Sequence, residues 1–375
     1  MSLARNPFKN LVFGGVGVDG TAYVGAIKQL EREMGSLRVV QRAAGASSGS
    51  IIAFLIAMRC TANQIEQYYN HIDFAHVAND NNILSDIYNI SVHQSLYNNT
   101  HLRSVLVNLF EESIGAIDIT FQQLQEKGYK YLTIITTMVC MVDGESSRVL
   151  HKFSAEHTPH TQIITAILAS VAIPGIFPMI TLIEKSPGEW VEDSKGCVHI
   201  DGGFVDDLPV AIFDKKKYID DYAFDEKNDA NTLNQTICNP ETLAFMVYSH
   251  REVLDLESHK KDIQPITHHQ FGKIIYGLAN GAIFGPQRYL FTRADDAKRT
   301  VLIDNLGVSV INFNITAAQK TALETAGIAA VKTFFAAPLA SVHAATSGVK
   351  LFTPAKPPDP VTSSQKPKTF RPALF

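Results

Sequence analysis

Near the start of the chain, the pattern of apolar positions shifts from one period to another. Leu11, Val12 and Phe13 form a short strand-like run, and a strand is predicted over Asn10 to Phe13, ending in a glycine-rich turn. Tyr23, Ile27, Leu30 and Met34 then recur at helical spacing, and Gly35 follows as a helix-ending residue. Together these make a βα unit. A second strand is predicted over Leu37 to Ala44. It runs through a Gly-Ser turn into a helix carrying Ile51, Ile52, Phe54, Leu55 and Met58, apolar nearly all round and therefore expected to be buried. Thr61 followed by Gln64 has the form of a capping box and opens a short amphipathic helix through Ile65 and Tyr68. Residues 73–125 are richer in asparagine and read as an irregular helical insertion, so that 60–125 is expected to form an insertion or lid region.

Strands resume at Tyr131 to Met138 and Arg148 to Phe153. They are followed by a helix at Ile163 to Ser170, a loop from Ile173 to Pro178, and a further strand ending near Asp201. This alternation predicts an α/β fold with a covered, mostly parallel central sheet. From Phe271, the positions Ile274, Ile275, Leu278, Ala279, Ala282 and Ile283 fit a core helix better than a lipid-facing one. Thr316 caps a last helix reaching Phe335. Beyond it, Pro354, Pro357, Pro358, Pro360, Pro367 and Pro372 stand among few apolar residues, and 336–375 is expected to be a flexible, disordered Pro-rich tail.

Composition narrows the range of functions. With 375 residues, 46% of them hydrophobic, the chain has material for a large core. Lys and Arg number 33 against 37 Asp and Glu, so no global positive field exists to gather nucleic acid, and any lipid contact must be local. Cys60, Cys140, Cys197 and Cys238 are scattered, which argues for a reducing compartment and against a disulfide framework or zinc knuckle. Neither a Sec-type leader nor an apolar run of about 18 residues is evident. The expectation is a cytoplasmic or peripheral membrane protein, or one exported by a dedicated machine. His157, His160, His268 and His269 read as surface histidines, and neither a metal nor a cofactor is expected.

The candidate chemistry lies at three glycine-rich turns. Gly45-Ala46-Ser47-Ser48-Gly49 stands between a predicted strand and a buried helix, the context of a nucleophile elbow with Ser47 at its tip. Upstream, Gly15-x-Gly17-x-x-Gly20 satisfies a dinucleotide fingerprint, yet Arg42, Ala43 and Ala44 occupy the place where that reading needs an acidic residue. The alternative is that the backbone amides of this same glycine turn, Gly14 to Gly20, form an oxyanion hole beside Ser47. For a base, two readings stand: a Ser-His-Asp triad using His250, or a carboxylate acting directly, offered by Asp201 ahead of the Gly202-Gly203 turn.

In their order and spacing these segments resemble the patatin-like phospholipase family. The resemblance extends to Ala22, Tyr23 and Gly25, to Ala169 to Pro178, to Leu208-Pro209, and to Arg299 to Gly307, covering about 8–335. It implies one domain with helices on both faces of the sheet and a Ser-Asp dyad, with Ser47 the nucleophile, Asp201 the base, and Gly15, Val16 and Gly17 the oxyanion donors. It further implies a phospholipid or other acyl lipid as substrate, metal-free hydrolysis, peripheral membrane contact and, as for some bacterial toxins of the family, a protein activator. A non-catalytic lipid-binding or regulatory protein is the competing reading, because three departures from the family pattern bear on catalysis. Val16 replaces the middle glycine of the loop, where a β-branched residue narrows the backbone. Asp19 replaces a basic residue, where a negative charge would oppose a developing oxyanion. Asp206 and Asp207 add further charge where the family often has asparagines.

Overall fold

A computed structural model describes residues 8–72, 95, 97, 99–142, 145–219, 235–249, 294–310 and 312–336. The helix expected from Phe271, His250, the His268-His269 pair and the Pro-rich tail beyond 336 lie outside them.

Strand β1 (Asn10–Phe13) is entirely buried, which for a strand whose side chains alternate between faces means that both faces of the sheet are covered there. Helix α1 (Thr21–Met34) follows and ends on Gly35 in the left-handed conformation, as its spacing predicts. The next strand begins later and ends later than its apolar run: Leu37–Val39 is a turn of 3-10 helix, and β2 is Arg42–Ala46. Ser36 accepts the Arg38 amide at 3.1 Å, and the Lys130 ammonium takes the Leu37 and Val40 carbonyls at 2.5 and 2.7 Å. Pairing with β1 therefore starts only at Arg42, opposite Asn10. Helix α2 (Ser48–Ala57) is buried over its whole length and packs on β1, β2 and β3. Helix α3 (Ala62–Asn70) has both bonds of the Thr61–Gln64 capping box. Residues 99–126 contribute α4 (Thr100–Ile114) and α5 (Phe121–Glu126), and the Phe110 ring of α4 stacks on Phe54 of α2 at 4.2 Å.

The remaining strands are β3 (Tyr131–Val142), β4 (Glu145–Ser154), β5 (Ile180–Ser186), β6 (Glu189–Glu192), β7 (Cys197–Ile200), β8 (Thr242–Tyr248) and β9 (Thr300–Asp304). The nine-stranded sheet runs β6-β5-β7-β3-β2-β1-β8-β9, with β4 also on β3. Strands β3, β2, β1, β8 and β9 are mutually parallel, while β4, β7, β5 and β6 extend the sheet by antiparallel pairing. The remaining helices are α6 (Ile163–Ser170), α7 (Gly203–Asp206), α8 (Ala294–Lys298) and α9 (Ala317–Ala336), the last packed along α1. Near β9, the buried Arg299 guanidinium pairs with both Asp214 oxygens at 2.6 and 2.7 Å and with Asp296 at 2.7 Å. This bidentate geometry compensates its burial and fixes the start of β9 against the 214 turn.

Strand β3 positions the site. β4 pairs with it from Thr133 to Val142, so β2 and β7, which overlap that range, must share the opposite edge. β2 runs parallel to β3 and ends at Ala46 beside Ile135; β7 runs antiparallel and ends at Ile200 beside Thr137. Two strands thus approach head-on, and their next residues are Ser47 and Asp201.

Candidate active site

Ser47 lies between β2 and α2 with φ 49° and ψ −132°, a backbone region that is almost exclusive to glycine and persists only where the surroundings enforce it. The flanking glycines explain how. A Cβ on Gly45 would lie 2.2 Å from the Gly49 carbonyl oxygen, and one on Gly49 would lie 2.4 Å from that of Phe13. The turn closes this tightly only without those side chains. The Ser47 amide is held by Ser170 Oγ at 2.9 Å, and Ser170 in turn donates to the Ile135 carbonyl at 2.6 Å.

The same C-terminal end of α6 secures Asp201. Its amide bonds the Ala172 carbonyl at 2.9 Å, the Gly202 amide bonds the Ser170 carbonyl at 3.2 Å, and Thr137 Oγ1 donates to the Asp201 carbonyl at 2.9 Å. Ser170 therefore grips both halves of the site. It belongs to the resemblance block 169–178, yet nothing in the sequence marks its hydroxyl as the link. The signal available was a serine at the very end of an otherwise apolar helix.

The Asp201 carboxyl is buried and accepts the Gly203 amide at 2.8 Å through Oδ1. Burial pushes its pKa up to about 7, while the Ser47 hydroxyl and the Gly203 amide pull the other way. Oδ2 has no partner of strict hydrogen-bond geometry among the described residues, so the Ser47 hydroxyl stands as a close neighbour of the carboxyl and not as a fully formed bond. Such bonds are often long without substrate. Ser47 itself is only 5% exposed. Among the described histidines, His199 lies two residues before Asp201, but its ring bonds His151 at 2.9 Å and the Cys197 carbonyl at 3.1 Å, and burial depresses its pKa to about 4.

The glycine loop after β1 lies against the elbow. A Cβ on Gly15 would fall 2.8 Å from Ser47 Cβ and 2.7 Å from Asp207 Oδ1. The Gly15 amide, however, is committed to the Asp207 carbonyl at 3.1 Å, and the Val16 amide rests on Ser48 Oγ at 3.2 Å. The Gly17 amide makes no hydrogen bond among the described residues. Gly17 also has the positive φ of 52°, with the Val310 carbonyl oxygen 2.1 Å from where a Cβ would stand. Val16 lies at φ −144° and ψ 16°, outside both the helical and the extended regions, so the β-branched residue does occupy a sparsely populated backbone conformation. Asp19, by contrast, is not a simple negative charge. It is fully buried, bonded by Asn305 Nδ2 at 3.2 Å, and burial raises its pKa to about 8, so it holds its proton at neutral pH. Asp206 is likewise raised to about 6 by burial. Among the described residues no cluster of His, Cys, Asp and Glu could hold a metal ion.

A strained serine on a strand–turn–helix elbow, backed by a glycine loop at the carboxyl end of a parallel sheet, defines the α/β class in which such elbows carry nucleophiles. Residues 11–214, more than half of the chain, match the patatin-like phospholipase family, and the chain belongs to it. Triacylglycerol lipase 4 of Saccharomyces cerevisiae is 29% identical over 215 residues, 54% of this chain but 22% of the lipase. A protein of Acanthamoeba polyphaga mimivirus is 25% identical over 234 residues, 62% of this chain and 71% of that one. Among solved structures, VipD from Legionella pneumophila aligns with a TM-score of 0.49 at 14% identity, covering 88% of this chain and 67% of that one.

Proposed function

We propose that the chain is a lipid acyl hydrolase of phospholipase A or lysophospholipase type, working through a Ser47 acyl-enzyme with Asp201 as base. The observation that carries this reading is the convergence of a strained, backbone-held serine and a buried carboxyl whose pKa is raised to about 7. A carboxylate of ordinary pKa is a weak base at neutral pH; one poised near 7 is matched to the task.

Ser47 Oγ attacks the ester carbonyl carbon and gives its proton to Asp201. The carbonyl oxygen becomes negative and is received by the Gly17 amide, joined by the Val16 amide once Ser48 Oγ yields it; Gly15 shapes the loop without donating. Collapse expels the lipid alcohol, which takes the proton from Asp201, and leaves the acyl group on Ser47. Water then attacks the acyl-enzyme, losing a proton to Asp201, and fatty acid departs as Ser47 recovers its hydrogen. Asp19 supports this by staying protonated and so adding no charge to the loop.

The substrate is an acyl lipid met at a membrane or droplet surface, and no described helix is long and apolar enough to cross a membrane. The name of the yeast relative makes neutral lipid a second substrate class to test beside phospholipid. Fatty acid release should be measured from phospholipid vesicles and from triacylglycerol emulsions, with wild type and Ser47→Ala, each with and without a eukaryotic cell extract to supply an activator. Release that disappears in Ser47→Ala supports the proposal and identifies the preferred lipid. A folded wild type that releases nothing under any condition favours the non-catalytic reading.

A further inference from the structure

At the opposite end of β2 from Ser47 lies a cavity of about 680 Å³, lined in part by Glu31, Arg38, Arg59, Thr61, Tyr129 and Lys130. Gln41, also on its wall, directly precedes β2, and Lys130 directly precedes β3, so the cavity opens at the amino ends of the parallel strands. The five residues of β2 separate it from the elbow by roughly 17 Å. It is a different site.

Its charges are unbalanced. Arg38, Arg59 and Lys130 face a single carboxylate, Glu31, whose Oε2 accepts the Ala62 amide at 3.2 Å. None of the three cations forms a salt bridge with a carboxylate among the described residues. The neighbouring cleft of about 390 Å³ differs, because there Lys217 is paired with Glu156 at 2.5 Å. Crowding is also visible in the first cavity: burial and, secondarily, the Arg59 charge lower the Lys130 pKa to about 8. Two of the three ammonium protons of Lys130 are taken by the Leu37 and Val40 carbonyls, and one remains.

Arg59 is placed at a conformational cost. It follows α2 with φ 62°, where the Arg59 and Cys60 amides close the helix on Ile56 and Leu55. Glycine is the residue that tolerates this position, and the chain uses glycine in the left-handed conformation after three other helices, at Gly35, Gly115 and Gly128. Only α2, whose amino end carries Ser47, closes on an arginine among them.

We propose that this cavity binds a phosphate-bearing anion, either a free phosphorylated molecule or the headgroup of an anionic lipid. Two guanidinium groups and an ammonium around one carboxylate leave a double positive charge, which suits a phosphate monoester or pyrophosphate better than a single carboxylate.

The test uses the full chain carrying Ser47→Ala, so that no lipid is consumed, and compares it with the same chain also carrying Arg59→Gly or Arg38→Ala. Inorganic pyrophosphate is titrated calorimetrically, and in a second arm the proteins are co-sedimented with vesicles of phosphatidylcholine with and without phosphatidic acid. Saturable pyrophosphate binding that weakens roughly tenfold or more in both variants supports a free phosphate ligand. Sedimentation that requires phosphatidic acid and is lost in both variants supports the headgroup. Arg59→Gly relieves the strained backbone but gives up the guanidinium's bond to the Gly128 carbonyl, so the melting temperatures of variant and parent are compared directly to confirm that both are folded; Arg38 is exposed, so its truncation leaves the fold intact. No binding in either arm, or binding that survives both substitutions, overturns the proposal.

Discussion

Ser47 and Asp201 each follow the last residue of a strand that ends on the same edge of β3, and the two strand ends stop on either side of Thr136. The pair is placed by backbone register more than by loop conformation.

Because Ser47 occupies a backbone region favoured by glycine, Ser47→Gly should abolish ester hydrolysis while stabilising the fold by about 1–2 kcal/mol. Urea denaturation of the two proteins side by side checks it; a destabilised glycine variant would mean that the elbow is not strained.

With Asp201 raised to about 7, kcat/KM should climb with pH through that value and then level off, following a single ionisation. Asp201→Asn should be inactive to within background across the whole range. A wild-type profile already flat from pH 5 upward would remove Asp201 from the role of base.

Asp19 loses its proton near 3.8 in the unfolded chain and near 8 in the folded one, so the folded state binds that proton more tightly. Its contribution to stability is therefore complete below about pH 4 and is lost as pH rises through about 8. Asp19→Asn should flatten the decline of unfolding free energy over this window, by an amount on the order of a few kcal/mol. Equal slopes for the two proteins would refute the buried, protonated state.

Ser170→Ala leaves the Ser47 amide and the Ile135 carbonyl without their shared partner. A loss of about 1–3 kcal/mol in stability is expected. The substitution should also lower kcat with KM nearly unchanged, since Ser170 is fully buried and holds the Ser47 backbone. A change in KM alone would assign it elsewhere.

Much of this arrangement is legible in the residues themselves. The Thr61–Gln64 cap, the all-round apolar α2 and the Gly35 stop are local signals, and the structure contains each where the pattern puts it. The second strand was misplaced because Leu37 to Val40 is apolar for a different reason: it packs as a 3-10 turn whose carbonyls are claimed by the distant Lys130. Where the residues predict one strand ending near Asp201, the chain makes three, β5, β6 and β7, although Ser186-Pro187-Gly188-Glu189, with Gly188 at φ 77°, carries a turn signal. Asp19 and Val16 illustrate another limit. The sequence gives their charge and shape, but neither the burial by distant chain that raises the Asp19 pKa against the opposing Asn305 bond, nor the backbone of Val16 between the helical and extended regions.

Placement by register also bears on how the chain tolerates divergence. The long stretch between Ser47 and Asp201 returns to β3 before it delivers the carboxyl, so its loops are free to lengthen or change composition without altering the spacing of these two residues. A single residue inserted within β3 between Ile135 and Thr137 would separate them by one full step along the strand, which makes this short interval the measuring rod of the site.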